Sequence, residues 1–147
     1  MKITTDEQKI LIFIEKLKPL PAIIKLHESE FQEEVEKRGE KWSSARLASL
    51  VFKLNLIGNE AKAIKFENPK LKKAFETIGN NFKRIAATLN EELITTIPEL
   101  IQQIKFRLQE LLTLVTKELT GEAMFKAISA LESIGKALGI EKEELYV

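Results

Sequence analysis

Residues 21–67 read PAIIKLHESEFQEEVEKRGEKWSSARLASLVFKLNLIGNEAKAIKFE, and the fold expected for the chain turns on this stretch. Ala22-Ile23-Ile24-Lys25-Leu26 is short, β-branched and preceded by Pro21, which predicts a strand. Ser29 followed by Gln32 has capping-box spacing: the hydroxyl can accept an orphan amide while the glutamine reaches back to the cap. Phe31 and Val35 stand four apart on the helix so started, and Gly39 is placed to end it in a left-handed cap. Ser43 or Ser44 can then cap a second helix, whose buried face is Leu47, Leu50, Val51 and Leu54. Gly58-Asn59 reads as a turn, and Lys62-Ala63-Ile64-Lys65-Phe66 alternates as a returning strand would.

With a first helix over residues 5–18, the order becomes helix, strand, helix, helix, short strand. That order over residues 6–67 resembles the winged helix-turn-helix superfamily. The resemblance implies a small β wing and a second helix, Ser44 to Leu56, that enters the major groove. Arg46, Ser49 and Lys53 on that helix would then make base or phosphate contacts, with Ser44 at its start. Winged helices also dock proteins, so the resemblance does not by itself choose a ligand. Glu28, Glu30, Glu33, Glu34 and Glu36 would have to point away from any phosphate backbone.

Outside this unit the chain reads as helix. Thr5 with Gln8 repeats the capping-box spacing, Asp6 and Glu7 suit a helix N-terminus, and Ile10, Phe13, Ile14 and Leu17 form one stripe. Lys18-Pro19-Leu20-Pro21 ends it. Asn68-Pro69 is a cap followed by proline at the first helical position. From there Leu71, Phe75, Ile78, Phe82, Ile85 and Leu89 recur in steps of four and three, so one helix is expected to continue through Gly79-Asn80-Asn81. Thr96-Ile97-Pro98-Glu99 starts another, with Ile101, Ile104, Leu108, Leu111 and Val115 as its seam. Its further leucines require cover on more than one side. Thr120-Gly121 opens a last long helix that Gly139 is placed to close. The expected architecture is mainly α: a winged-helix-like unit over 1–68, then an antiparallel helical bundle or extension over 69–147.

Composition excludes several chemistries. The 147 residues contain no cysteine and one histidine, His27, which removes disulfides, zinc fingers, iron–sulfur clusters and Cys–His catalysis. No glycine-rich phosphate loop and no nucleophile elbow is present, so neither an enzyme nor a bound cofactor is expected, and no metal site. No run of about eighteen apolar residues and no leader-like start appear, which predicts a cytoplasmic protein without a membrane span. Abundant Lys, Glu and Ile without Cys is compatible with a thermophilic source.

The formal charge of +1 conceals a strong division. Residues 41–84 hold ten basic groups and three acidic ones, whereas 28–40 and 85–147 are both net acidic. A basic middle is the footprint expected for an anionic partner, or a set of solvated faces whose charges cluster. Taken as a footprint it predicts a non-enzymatic protein that binds nucleic acid, foremost duplex DNA. Lys41, Lys62, Lys65, Lys70, Lys73 and Arg84 would meet phosphates, and Asn80 shares the polar face of the helix after Pro69. The C-terminal helices would support a homodimer or a protein partner. The competing expectation is a helical subunit of a larger replication or RNA-guided assembly, with Trp42 and Phe52 as contact anchors and no direct sequence-specific DNA binding.

Overall fold

A computed structural model describes residues 5–28, 48–91 and 97–146. The first helix, α1, spans Asp6–Leu17. Its capping box is complete: Thr5 Oγ1 accepts from the Gln8 amide at 3.2 Å, and Gln8 Oε1 accepts from the Thr5 amide at 2.9 Å. Ile10, Phe13, Ile14 and Leu17 are its buried face.

The expected strand at Ala22–Leu26 is a helix instead. Residues 20–28 are helical and form α2, entered through a turn at Lys18-Pro19 in which the Ile23 amide donates to the Pro19 carbonyl at 3.2 Å. Pro21 falls in the first turn, where a missing amide costs nothing. The burial is helical too: Leu20, Ile24 and His27 point inward, while Ala22 and Leu26, which a strand would bury with Ile24, are exposed. The prolines that end α1 therefore also start α2.

The expected wing is absent as well. The next helix, α3, spans Ala48–Ala63 and runs straight through Gly58-Asn59. Residues 64–68 form an irregular connection in which Ile64 and Phe66 are half-buried and Lys65 is exposed. The alternation that suggested a strand belongs to a loop laying two side chains on the core. Among the described residues no strand is present, so the winged-helix expectation is corrected to an all-helical one. The helix expected to begin at Ser29, its Gly39 cap, and the Ser43 or Ser44 cap of the next lie outside the described residues.

After the loop, α4 (Pro69–Asn90) begins with Asn68 Oδ1 accepting from the Lys70 amide at 2.9 Å and Pro69 at the first position. It is continuous through Gly79, and Leu71, Phe75, Ile78, Phe82, Ile85 and Leu89 are all buried, as their spacing predicts. Helix α5 (Ile97–Glu118) buries Ile104, Leu108, Leu111 and Val115, and α6 (Gly121–Ala137) buries Ala127, Leu131, Ile134 and Gly135. Gly139, at φ 80°, closes α6: its amide donates to Lys136 and that of Ile140 to Gly135, a Schellman ending. A short α7 (Lys142–Leu145) then lays the buried Leu145 against α6 at Gly135.

The helices form a ring around one core. α1 packs beside α3 and α6, α4 lies between α3 and α5, and α5 returns to α6, with α7 against α5 and α6. This covers apolar α5 on more than one side. The tightest pair, α3 with α4, joins residues on either side of the expected boundary at 68/69, and the core cluster runs unbroken from Ile10 to Leu145. The first turn of α1 clasps the α3–α4 connection. Asp6 accepts from the amides of Glu67 and Asn68, each at 3.0 Å, and the Lys9 ammonium donates to the Lys65 carbonyl.

Candidate nucleic-acid interface

The α3–α4 hairpin holds most of the described cations of the basic middle, and its geometry starts from two glycines. A β-carbon added to Gly58 would lie 2.7 Å from the Gly79 carbonyl oxygen, and one added to Gly79 would lie 2.5 Å from the Gly58 carbonyl oxygen. Only hydrogen fits at this crossing. Each glycine is covered by a lysine stem from the other helix: Lys83 Cγ would be 2.5 Å from the first β-carbon and Lys62 Cγ 2.5 Å from the second. With only residues 64–68 between them, and with Gly58 against Lys83 and Gly79 against Lys62, the helices run antiparallel.

This arrangement has a signature in the sequence. Residues 57–64 read IGNEAKAI and residues 78–85 read IGNNFKRI, identical at five of eight positions. The copies lie on α3, with Ile64 just past its end, and on α4, and they cross at their glycines, so the hairpin has an approximate two-fold axis normal to its outer surface. Equivalent positions do equivalent things. Ile57 and Ile78 enter the core, as do Ala61 and Phe82. The residue two after the glycine reaches to the flanking helix in each copy. Glu60 meets Lys16 of α1 at 3.4 Å, and Asn81 donates to Glu110 of α5 at 3.3 Å. Asn59 and Asn80 are both exposed.

On α4 the exposed residues continue the outer surface. Lys70, Lys73, Thr77, Asn80 and Arg84 recur at three- and four-residue steps and are all exposed, with Lys72 exposed and Lys83 half-buried nearer α3. Thr77 turns its hydroxyl back to the Lys73 carbonyl at 3.2 Å. Glu76 is the acid among them. Among the described residues, no carboxylate lies within ion-pair distance of Lys62, Lys70, Lys72, Lys73, Lys83 or Arg84, whereas Lys16, Lys18, Lys105, Arg107, Lys126 and Lys142 are all paired. Six cations without acidic partners thus stand on one face, while Lys25, Lys53, Lys65, Lys117 and Lys136 are without an ion pair elsewhere among the described residues.

The expected contact residues separate into three groups. Lys62, Lys70, Lys73, Asn80 and Arg84 stand together on the outer face of the hairpin. Lys53 is seven residues from Glu60 and so lies on the flank of α3 that faces α1. Ser49 Oγ is hydrogen-bonded to His27 Nε2 at 2.9 Å, which ties α2 to α3, and Lys65 sits in the loop clasped by α1. Lys41, Ser44 and Arg46 lie outside the described residues. Lys72 and Lys83 were not singled out from the sequence as contacts. The IGNxxKxI repeat is the signal that marks Lys83 as the counterpart of Lys62.

Elsewhere, a groove of about 490 Å³ between α1 and α6 has Leu11, Ile14 and Ala130 along it. The charges near it are paired among themselves, Glu15 with Lys18 at 2.7 Å and Glu122 with Lys126 at 3.3 Å. Among the described residues no three histidines or carboxylates converge as metal ligands, and no helix is long and apolar enough to cross a membrane.

Fold and surface define a helical bundle with one cationic face, built on a crossed helical hairpin. No protein-family model matches the chain, and neither a curated protein nor a solved structure does.

Proposed function

We propose that this protein binds duplex nucleic acid through its phosphate backbone, using the outer face of the α3–α4 hairpin. The observation that carries the reading is the gathering of Lys62, Lys70, Lys72, Lys73, Lys83 and Arg84 on that face without carboxylate partners among the described residues. Cations left unpaired on a rigid element attract a polyanion and release its counterions on binding. Phosphate contact positions a protein without reading sequence, so the reading assigns shape-dependent binding and no reaction.

The test is fluorescence anisotropy with labelled random duplex DNA at a low and a moderate salt concentration. Wild-type binding should weaken with salt, and Lys70→Glu with Lys73→Glu should weaken it further. Absence of binding at low salt would overturn the reading.

A second reading has its own observation. Phe52 and Leu56, one turn apart on α3, are exposed, Phe52 at 68%. Exposed apolar residues at that spacing suit a protein partner, as in a helical subunit of a larger assembly. Duplex binding that ignores the charge reversals, together with loss of a partner on Phe52→Ser, would favour it.

A further inference from the structure

The crossing of the two IGNxxKxI copies has a property that a basic patch lacks: its polar groups are arranged by symmetry. The helices are antiparallel, and each glycine is contacted by the lysine four residues beyond the other glycine. A two-fold axis through the crossing therefore relates Lys62 to Lys83 and Asn59 to Asn80. The residues that face the core, Ile57 with Ile78 and Ala61 with Phe82, lie on the opposite side of both helices. All four polar side chains consequently emerge on the same outer surface, a lysine near the axis and an asparagine farther from it on each helix.

A nucleic-acid duplex has the same symmetry. Its two strands run antiparallel, and local two-fold axes normal to the helix relate phosphates of one strand to those of the other. We infer that the glycine crossing is a dyad-matched phosphate clamp in which Lys62 and Asn59 engage one strand of a duplex and Lys83 and Asn80 engage the other. This rests on the duplex-binding reading and adds what that reading leaves open, namely where on the face the duplex sits and why it is a duplex. The lysine stems support it physically. Each is packed across a glycine, so less side-chain freedom remains to be lost when the ammonium meets a phosphate. Lys70 and Lys73, on the far flank of α4, have no such support and serve as peripheral attraction. Of the acids on the two helices, Glu60 is turned to Lys16 of α1 and Glu76 pairs with neither clamp lysine.

The substitutions Lys62→Met and Lys83→Met remove the charges while keeping an unbranched stem over each glycine, and Lys→Arg at the same positions keeps the charge. Anisotropy is read against salt for a duplex and for a single strand of equal length, with circular dichroism to establish that each variant is folded. On the duplex, the two Met variants should each lower the slope of log affinity against log salt by about one, equally, and the double variant by about two. Each should weaken binding several-fold, the Arg variants much less. On the single strand each single variant should lose no more than about twofold, because the strand can use the intact half of the clamp, and only the double variant should lose binding several-fold. Unequal losses, losses no larger than those from Lys70→Met and Lys73→Met, or the same additive pattern on the single strand would overturn the clamp. The broader reading survives those outcomes as long as wild-type duplex binding remains salt-dependent. Absence of wild-type duplex binding would overturn both.

Discussion

Gly58 and Gly79 touch backbone to backbone: a β-carbon on either would fall within 2.7 Å of the other's carbonyl oxygen. The contact sets how closely α3 and α4 approach, and through it the position of every polar group on the outer face. Ala is a better helix former than Gly by about 1 kcal/mol, so Gly79→Ala in isolation would favour α4. The clash is with backbone atoms, which cannot rotate away, and overpacking of this kind costs about 1–3 kcal/mol. Gly79→Ala should therefore destabilise the protein, by up to about 2 kcal/mol in urea unfolding.

Gly135 in α6 provides the contrast. A β-carbon there would meet Leu145 Cδ1 at 3.0 Å, the free end of a rotatable side chain on α7. The helix-propensity gain then competes only with a small repacking. Gly135→Ala should leave stability within about 0.5 kcal/mol of wild type in the same measurement. A loss matching that of Gly79→Ala would show that α7 is held more rigidly than its contacts imply.

Phe75 joins three elements. Its ring stands edge-on to Phe13 of α1 at 5.3 Å and 83°, and tilts against Phe66 of the loop at 4.9 Å. It is fully buried, so truncation leaves a cavity that α1, α4 and the loop would have to close together. Phe75→Ala should cost about 3–5 kcal/mol, and Phe75→Leu clearly less. Thermal unfolding followed by circular dichroism checks both.

Much of this was legible in the sequence. The capping box at Thr5, the Asn68-Pro69 start and the seam from Leu71 to Leu89 are local, and local rules found them. The expectations that fail share a cause: each follows a residue's local preference where a long-range partner decides the outcome. Ile23-Ile24 behind Pro21 looked like a strand because β-branched residues favour one, yet Leu20, Ile24 and His27 bury as a helix does. Gly58 looked like a turn because glycine usually breaks helices, and its actual role needs Gly79 opposite it. Pairing across the crossing, like the loop burial of Ile64 and Phe66, is invisible to a window of a few residues.

The clasp between α1 and the loop predicts a dependence on pH. The Glu67 amide, with that of Asn68 and the nearby Lys9 ammonium, holds the Asp6 carboxyl below its ordinary pKa, against the opposing effect of partial burial. A carboxylate whose pKa is lower in the folded state stabilises the fold above its unfolded value, about 3.9, and loses that contribution as pH falls through the folded value. Asp6→Asn should cost about 1 kcal/mol near neutrality, and the difference from wild type should shrink as pH drops below about 4. Urea midpoints for the two proteins at several pH values measure it. A difference that stays constant with pH would mean that the amide contacts hold without the charge.

The separation of the expected contact residues gives the last prediction. Lys53 and Lys73 carry the same charge, but Lys53 lies on the flank of α3 toward α1 and Lys73 is exposed on the outer flank of α4. Ser49 has its hydroxyl hydrogen-bonded to His27. If the hairpin's outer face meets the duplex, Lys73→Glu should weaken duplex binding at low salt by about tenfold and reduce the salt slope by at least about one. Lys53→Glu and Ser49→Ala should each change affinity by less than about threefold, a difference under 1 kcal/mol. Ser49→Ala should instead appear in stability, by about 1 kcal/mol, because His27 is buried and would lose that partner. Anisotropy titrations and urea unfolding of the three variants separate the two effects. Strong losses of affinity at Lys53 and Ser49, with none at Lys73, would move the interface to the α2–α3 side of the bundle.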